Sequence, residues 1–99
     1  MTKTVLLEVT LNDDPDAMGA VRRTLAQTAA FAGNEGIRVL VDEADPHLLV
    51  VVESWADLEA HSAYAAWRAT PDGAAELARV VAKPPVTRRF ASTIGLDEE

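Results

Sequence analysis

Four ring-bearing side chains that could together bind a ligand fall within thirteen positions of this chain: Trp55, His61, Tyr64 and Trp67. They include both tryptophans and the only tyrosine of a 99-residue sequence with few aromatic residues. Such a cluster predicts one wall of a pocket for a flat apolar ligand, although the same residues would also serve as ordinary core and rim residues. His61 adds a group that can accept a proton, because the unperturbed pKa of histidine, about 6.5, lies near neutral pH.

The cluster follows an apolar run, residues 48–52, which is too short to span a bilayer and is rich in β-branched residues. This run predicts a strand buried on both faces. Ser54 followed by Asp57 has the form of a capping box and predicts a helix over about residues 56–69. One side of that helix carries polar groups at steps of four, three and four: Asp57, His61, Tyr64 and Arg68. The candidate site therefore lies at a strand-to-helix junction.

The remaining elements follow from apolar periodicity and from proline and glycine. Further strands are predicted over residues 4–11, 37–43 and 86–93, and further helices over 15–32 and 74–81. The order β-α-β-β-α-(α)-β predicts an α+β protein with the ferredoxin-like split βαβ fold, an antiparallel sheet with its helices on one face. The other face of the central strand then needs a cover. A second copy of the chain supplies it most simply, which predicts a homodimer.

The same patterns predict where helices begin and which faces they bury. Asp14 is the predicted N-cap of the first helix, with Pro15 at its first position. Thr70 and Pro71 mark a third helical segment. The predicted core stripe of the first helix contains Met18, Val21, Leu25, Ala29 and Ala32. In the third segment the predicted core residues are Leu77, Val80 and Val81.

The composition limits the classes of protein that this chain can represent. Its length predicts a single domain over residues 1–99 with one modest core. The absence of cysteine excludes disulfides, thiolate metal sites and a cysteine nucleophile. Nine basic and sixteen acidic residues give a net charge of −7, which argues against nucleic acid and anionic membranes as partners. With no visible signal peptide or membrane span, the sequence predicts a cytoplasmic protein.

The charged residues near the C-terminus are unevenly distributed. Four basic residues lie in the last quarter of the chain: Arg79, Lys83, Arg88 and Arg89. They predict either a local site for an anion or a solvated cluster that balances the acidic tail. The tail, residues 97–99, is predicted to be frayed.

Several short motifs resemble the antibiotic biosynthesis monooxygenase family of dimeric α+β barrels. They are Gly36 before the second strand, the Asp45-Pro46 turn, and Glu53-Ser54-Trp55 at the end of the apolar strand, followed by a helix with a histidine. The resemblance covers about residues 4–92. It implies a homodimer whose protomers each hold a pocket between sheet and helices. It also implies that no cofactor is needed, because many relatives oxidise phenols, anthrones or quinols with molecular oxygen and without metal or flavin.

Oxidation of this kind requires a deprotonated, electron-rich substrate that passes an electron to oxygen directly. The protein must supply a proton acceptor, a cation or hydrogen-bond donor for the substrate anion, and a dry aromatic cavity. The predicted catalytic residues are His61 as the proton acceptor and Arg88, or alternatively Arg68, as the cation. The predicted substrate-binding residues are Trp55, Tyr64, Trp67, Arg68 and Phe90.

Each role has a structural alternative. Trp55 could be a packing anchor at the strand end, His61 a satisfied histidine at the core boundary, and Arg68 part of a solvated helix face. Arg88 and Arg89 point to opposite faces of the last strand, so at most one is predicted to enter a given pocket. The two histidines are fourteen positions apart without a close carboxylate, so no metal site is predicted.

The sequence therefore predicts a cofactor-independent monooxygenase that acts on a small aromatic substrate, and two rivals remain open. A cyclase or isomerase would use the same pocket for proton transfer and would turn over without oxygen. A non-catalytic dimeric ligand-binding protein would bind aromatics and would tolerate replacement of His61 and Arg88.

Overall fold

A computed structural model describes residues 2–96 of the chain, which form four strands and three helices. The elements in chain order are β1 (Lys3–Thr10), α1 (Ala17–Ala30), β2 (Asn34–Val41), β3 (Leu48–Trp55), α2 (Leu58–Arg68), α3 (Pro71–Ala78) and β4 (Val86–Arg89). β2 begins earlier than predicted and β4 ends earlier, at Arg89 rather than residue 93. Among residues 2–96 no helix has the length and apolar character needed to cross a bilayer. The predicted frayed tail, residues 97–99, lies outside the described residues.

The four strands form one antiparallel sheet in the order β2-β3-β1-β4. The two central strands pair along their whole length, from Lys3 opposite Trp55 to Thr10 opposite Leu48. Together with the three helices, this topology confirms the predicted ferredoxin-like α+β fold. It also places the end of β3, where the candidate site begins, beside the start of β1.

The two faces of the sheet differ in burial. Four sheet side chains that face the helices are buried: Val5, Val9, Leu49 and Val51. The last three pack against Ala20 and Val21 of α1. Alternate residues on the other face, such as Leu6, Val50 and Val52, are only partly buried in the single chain. The prediction that β3 is buried on both faces does not hold within one chain, because the helices cover only one of them. Burial of the second face by another copy of the chain stays a prediction.

Helix α1 begins two residues later than predicted. Asp14 does not cap it, because Asp14 Oδ1 accepts a hydrogen bond from the Asp16 backbone N–H at 2.7 Å and closes a turn instead. Asn12 Oδ1 does the same for the Asp14 N–H at 2.9 Å. The residue at the N-cap position, Asp16, makes no side-chain capping bond. Two consecutive Asx turns thus occupy the segment in which the Asp-Pro pattern predicted the helix start.

Helix α2 is capped by Asp57 itself. Its Oδ1 accepts a hydrogen bond from the Ala60 N–H at 2.8 Å. Ser54 cannot act as the cap because it still belongs to β3, where it pairs with Thr4. The predicted capping box is therefore wrong, although the helix that it announced is present.

Helix α3 begins where its predicted cap lies. Thr70 Oγ1 accepts a hydrogen bond from the Gly73 N–H at 3.2 Å, which confirms the capping role of Thr70. The helix covers Pro71–Ala78 rather than residues 74–81. Val80, beyond its end, is fully buried, as predicted.

The buried face of α1 differs from the predicted stripe. Its buried residues are Ala17, Ala20, Val21, Thr24 and Thr28. Met18 is 39% exposed, and Ala29 is also exposed. Thr28 can be buried because its hydroxyl donates to the Thr24 carbonyl oxygen at 3.1 Å. A prediction that counts threonine as polar leaves Thr24 and Thr28 out of the buried face.

Replacing Gly73 by alanine is expected to destabilise the fold by about 1–3 kcal/mol, the usual cost of overpacking. A Cβ on Gly73 would meet the carbonyl oxygen of Trp67 and would lie 2.7 Å from Cα of Arg68. These are backbone atoms and cannot move aside as a side chain would. The gain in helix propensity from glycine to alanine, at most about 1 kcal/mol, is too small to offset the clash.

Gly19→Ala is the matched control for this prediction. On α1 the new Cβ would meet the Asp16 carboxylate and the end of the Arg23 side chain, both of which can move. A neutral or slightly stabilising change is therefore expected. Urea unfolding followed by circular dichroism measures both variants, and equal midpoints would contradict the tight contact between α2 and α3.

Candidate functional site

A cavity of about 480 Å³ lies between the helices and the helix-facing side of the sheet. Its volume falls within the range of small-molecule sites. All three helices contribute to its wall, together with the sheet and the last part of the chain. Most of the wall is apolar. The polar and charged side chains in it are Thr24, Glu53, His61, Tyr64, Arg68, Thr87 and Arg89.

Small residues on the helices leave the space for this cavity. They are Ala65 of α2, its C-cap Ala69, and Gly73, Ala74 and Ala78 of α3. The short side chains of these residues make room for a ligand between the helices and the sheet.

Surface ion pairs join α1 to α3. Arg23 contacts Asp16 and Glu76, at 2.6 and 2.9 Å, and Arg79 contacts the same two carboxylates. Arg79 also contacts Asp14 at 3.3 Å. Because these groups are largely exposed, the network contributes little to stability. It nevertheless pairs two of the nine basic residues of the chain with acidic partners.

His61 lies on the first turns of α2 and in the cavity wall, with its side chain buried. Its ring meets Trp55 edge to face, with 5.5 Å between centroids. Nδ1 is buried and has no hydrogen-bond partner among residues 2–96. Burial, and secondarily the charge of Arg89, lower the pKa of His61 below its ordinary value of 6.5. The imidazole is therefore neutral at neutral pH, and Nε2 is the nitrogen left to contact a ligand.

A carboxyl group is also buried in the cavity wall. Glu53 of β3 is 2% exposed, and its Oε1 accepts a hydrogen bond from Trp55 Nε1 at 2.9 Å. Burial raises the pKa of Glu53 above its ordinary value, against the opposing effects of the Trp55 hydrogen bond and the Arg68 charge. The sequence prediction missed Glu53 as a site residue. The available signal was an acidic residue at an inward position of a buried strand, two positions after Val51.

The raised pKa of Glu53 predicts a pH effect on stability. The folded state holds the proton more tightly than the unfolded state, so the free energy of unfolding falls as pH rises above 4.5 and through the folded-state pKa. Glu53→Gln keeps an acceptor for Trp55 and removes the titration. The urea midpoint of the wild type should therefore fall relative to that of Glu53→Gln as pH rises through this range.

His61 acts in the opposite direction, because its lowered pKa costs stability as pH falls below 6.5. Both proteins in the comparison contain His61, so its contribution cancels. A constant difference between wild type and Glu53→Gln across the pH range would contradict the shift assigned to Glu53.

Tyr64 and Arg68, one turn apart on α2, form a hydrogen-bonded network with α1. Arg68 Nε donates to Tyr64 Oη at 2.7 Å, and Tyr64 Oη lies 2.7 Å from Thr28 Oγ1. The other donors of Arg68 reach the carbonyl oxygens of Thr24 and Gly73, Gln27 Oε1 and Thr28 Oγ1. Arg68 thus lines the cavity, but its guanidinium is occupied in joining α2 to α1 and α3.

The two tryptophans lie behind the cavity wall rather than in it. Trp55 is fully buried below His61 and Tyr64, with ring centroids at 5.5 and 5.1 Å. Trp67 is partly buried, and the Arg68 guanidinium lies over its ring at 4.7 Å. The structure therefore brings the four rings of the predicted cluster together. Of the four, His61 and Tyr64 line the cavity.

The last strand places Arg89, rather than Arg88, at the cavity. Arg89 lies opposite Val5, which faces the helices, and Arg88 lies opposite Leu6 on the other face. Arg88 instead stacks over the ring of Phe90, 5.2 Å from its centroid. β4 ends before Phe90, and Phe90 is absent from the cavity wall. The predicted site residues Arg88 and Phe90 therefore do not line the cavity. The cation that β4 places there is Arg89, the residue after Arg88.

The part of the chain from residue 2 to residue 96 contains no group of three or more histidine, aspartate or glutamate side chains that could hold a metal ion. The second histidine, His47, is about half exposed and lies near Asp13 and Asp45, away from the cavity.

Comparison with known proteins gives the same picture of the fold. SnoaB, a cofactor-independent oxygenase from Streptomyces nogalater, superposes with a TM-score of 0.76 at 20% identity, with 98% of both chains covered. A conserved protein from Methanosarcina mazei Go1 gives 0.73 at 12% identity over 94% of each chain. Rv0793 from Mycobacterium tuberculosis gives 0.66 at 17% identity over 97% of this chain and 99% of its own. At these identities the likeness shows the fold alone.

Sequence comparison defines the family. No curated protein matches the chain at a significant level. The family profile described as "Antibiotic biosynthesis monooxygenase" matches residues 5–79, from within β1 to just past α3. Because this match covers most of the chain, the chain belongs to the antibiotic biosynthesis monooxygenase family.

Proposed function

We propose that this protein is a cofactor-independent monooxygenase that oxidises a small electron-rich aromatic, namely a phenol, anthrone or quinol, with molecular oxygen. The observation that carries the proposal is the imidazole of His61, buried and neutral in the wall of an apolar cavity, where Nε2 is the nitrogen left to contact a ligand. Family membership supports the reaction class. So does the fold shared with SnoaB, which is described as a cofactor-independent oxygenase.

In the proposed reaction, His61 Nε2 takes a proton from an acidic C–H or O–H of the substrate. The resulting carbanion or phenolate passes one electron to O₂, and the two radicals combine to form a peroxide. For an anthrone-type CH₂ group, loss of water then leaves a carbonyl, so that CH₂ and O₂ give C=O and H₂O. The substrate supplies all the electrons, and no added reductant is needed.

The environment of His61 also restricts the substrate. A lowered pKa keeps the imidazole free to accept a proton at neutral pH, but it makes His61 a weaker base than an exposed histidine. The proton must therefore come from an acidic group, such as a phenol or a C–H next to conjugated carbonyls. The apolar wall contributes by keeping water away from the reactive anion.

We also propose that the protein works as a homodimer in the cytoplasm. The sheet face away from the helices carries partly buried and exposed apolar residues, including Leu6, Leu40, Val50 and Val86. A second copy packed on this face would remove them from water. The net charge of −7 argues against nucleic acid and anionic membranes as partners.

Oxygen uptake tests the proposed activity. Purified protein treated with a chelator is given a panel of anthrones and hydroquinones, with protein-free autoxidation as the baseline. We expect uptake that depends on the protein, with O₂ consumed and anthrone-derived carbonyl formed in equal amounts, and label from ¹⁸O₂ in the new carbonyl. Ligands that bind without any oxygen uptake would refute the monooxygenase and leave the cyclase or isomerase and the ligand-binding protein.

A proton-transfer enzyme, a cyclase or isomerase, is the second candidate. The presence of Glu53 in the same wall as His61 favours it, because two titratable groups could remove a proton and return it at another position. Conversion of the same substrates under nitrogen distinguishes this reaction from oxidation.

A further inference from the structure

The cavity wall is richer in positive charge than the rest of the protein. The chain has a net charge of −7, yet the charged residues in the wall are Arg68, Arg89 and Glu53. Burial raises the pKa of Glu53, which weakens its negative charge. The two arginines therefore dominate the electrostatic potential of the cavity, and the potential favours an anion there.

Arg89 is the arginine with unused donors. Whereas the guanidinium of Arg68 is occupied by groups on all three helices, Arg89 makes one hydrogen bond among the described residues, from Nη2 to the Leu58 carbonyl oxygen at 3.0 Å. Its side chain forms no ion pair with the acidic residues between positions 2 and 96. Most of its N–H groups thus remain available to a ligand.

The hydrogen bond to Leu58 fixes the position of this cation relative to the proton acceptor. Leu58 is the first residue of α2, and His61 lies one turn further along the same helix. The charge of Arg89 contributes to the lowered pKa of His61, so the two groups are electrostatically coupled. An anionic group on Arg89 would also benefit from the positive end of the helix dipole.

We propose that the cavity binds its aromatic substrate as an anion, with a carboxylate or ionised phenolic oxygen of the substrate on the guanidinium of Arg89. The inference rests on the proposed function, because it concerns the same cavity, and it adds the substrate class and its orientation. The acidic oxygen lies toward β4, and the ring system extends past His61 between α2 and α3. The planar fork of a guanidinium suits such an oxygen pair better than a single ammonium does.

Matched ligands test the charge preference in the wild-type protein. Anthracene-2-carboxylate and anthracene-2-carboxamide have nearly the same shape and differ in charge. By isothermal titration calorimetry we expect the carboxylate to bind at least about tenfold more tightly, with an advantage that shrinks as salt is added. A second pair, 2,4-dinitro-1-naphtholate and its methyl ether, makes the same test for a phenolate. Equal affinities within both pairs would overturn the proposal. A preference in only one pair identifies the acidic group.

Variants then assign the preference to Arg89. Arg89→Gln should weaken binding of the preferred anion by about tenfold and change the affinity for its neutral partner by less than about twofold. Arg89→Lys, which keeps the charge but not the fork, should have an intermediate effect on anion binding. Arg22→Gln, which removes the same charge from the exposed side of α1, should change neither. Equal weakening of the anion and its neutral partner in Arg89→Gln would mean that Arg89 only shapes the cavity. If that variant does not fold, the same comparison is made with Arg89→Lys.

The two proposals fail separately. A protein that prefers the anion but consumes no oxygen would keep this inference and refute the monooxygenase. A protein that consumes oxygen but binds both ligands of each pair equally would refute this inference and support the monooxygenase.

Discussion

Replacing His61 by phenylalanine is expected to lower kcat for oxygen uptake by about 10²- to 10⁴-fold, the usual contribution of a positioned acid–base group. The phenyl ring can keep the aromatic contact with Trp55 but has no nitrogen to accept a proton. The substitution also removes Nδ1, which is buried without a partner among residues 2–96. The free energy of unfolding should therefore stay equal or rise. We expect a loss of activity without a loss of stability.

His47→Phe is the matched control, because it makes the same change at an exposed site away from the cavity. Its kcat should equal that of the wild type. The pH profile gives a second readout: since the pKa of His61 is lowered, the acid limb of kcat/KM should lie below pH 6.5, and it should disappear in His61→Phe. A His61→Phe protein that keeps its kcat would assign the proton transfer elsewhere, with Glu53 as the first alternative.

Local patterns were sufficient to predict most of the fold. The apolar run at residues 48–52 and the alternation in the other strands identify the strands, and Thr70 and Pro71 mark the start of α3. These signals depend on neighbours in the sequence, so they can be read without the tertiary structure. The order of elements then leaves few topologies, and the ferredoxin-like one is present.

The choice between Arg88 and Arg89 shows where such patterns stop. Arg88 and Phe90, two positions apart and therefore on one face of a strand, were both predicted to be site residues. The orientation of β4 is instead set by its pairing with β1, where Arg89 meets the inward residue Val5. Because side chains alternate along a strand, a difference of one position moves a side chain to the other face of the sheet. A four-residue strand with every residue exposed carries too weak a pattern to show this.

Arg68 and Glu53 depend on partners that the sequence does not bring near them. Arg68 has the spacing of a solvated helix face, and the approach of α1 and α3 adds the carbonyl acceptors of Thr24 and Gly73 to the Tyr64 hydroxyl on its own helix. Glu53 is polar in an apolar strand, and the donor that makes its burial tolerable is Trp55, two positions further on the same face. The Glu-x-Trp spacing is visible in the sequence. Its hydrogen bond requires both rotamers and is visible only in the structure.

Replacing Trp55 by alanine is expected to reduce the free energy of unfolding by about 3–5 kcal/mol, a large share of the roughly 5–15 kcal/mol typical of a domain. The ring is fully buried against Val5 and Tyr64 and under His61, so its removal leaves a hole below the cavity wall. Trp67→Ala is the matched control, because that ring is only partly buried and its loss should cost less. Urea unfolding followed by far-ultraviolet circular dichroism measures both. Equal losses would show that Trp55 is not the main packing anchor.

A cycle with Glu53 separates the packing of Trp55 from its hydrogen bond. Trp55→Phe keeps an aromatic ring but removes the Nε1 donor, so Glu53 Oε1 loses its bond. That bond favours the ionised carboxyl, since it lowers the pKa that burial raises. Trp55→Phe should therefore cost more stability at a pH where Glu53 is ionised than at a pH where it is protonated. In a Glu53→Gln background this pH-dependent part should vanish, with a coupling of about 0.5–3 kcal/mol between the two sites. A cost that is the same at every pH and in both backgrounds would make Trp55 a packing residue alone, and the carboxyl in the cavity wall would then owe its protonation state to burial and to Arg68.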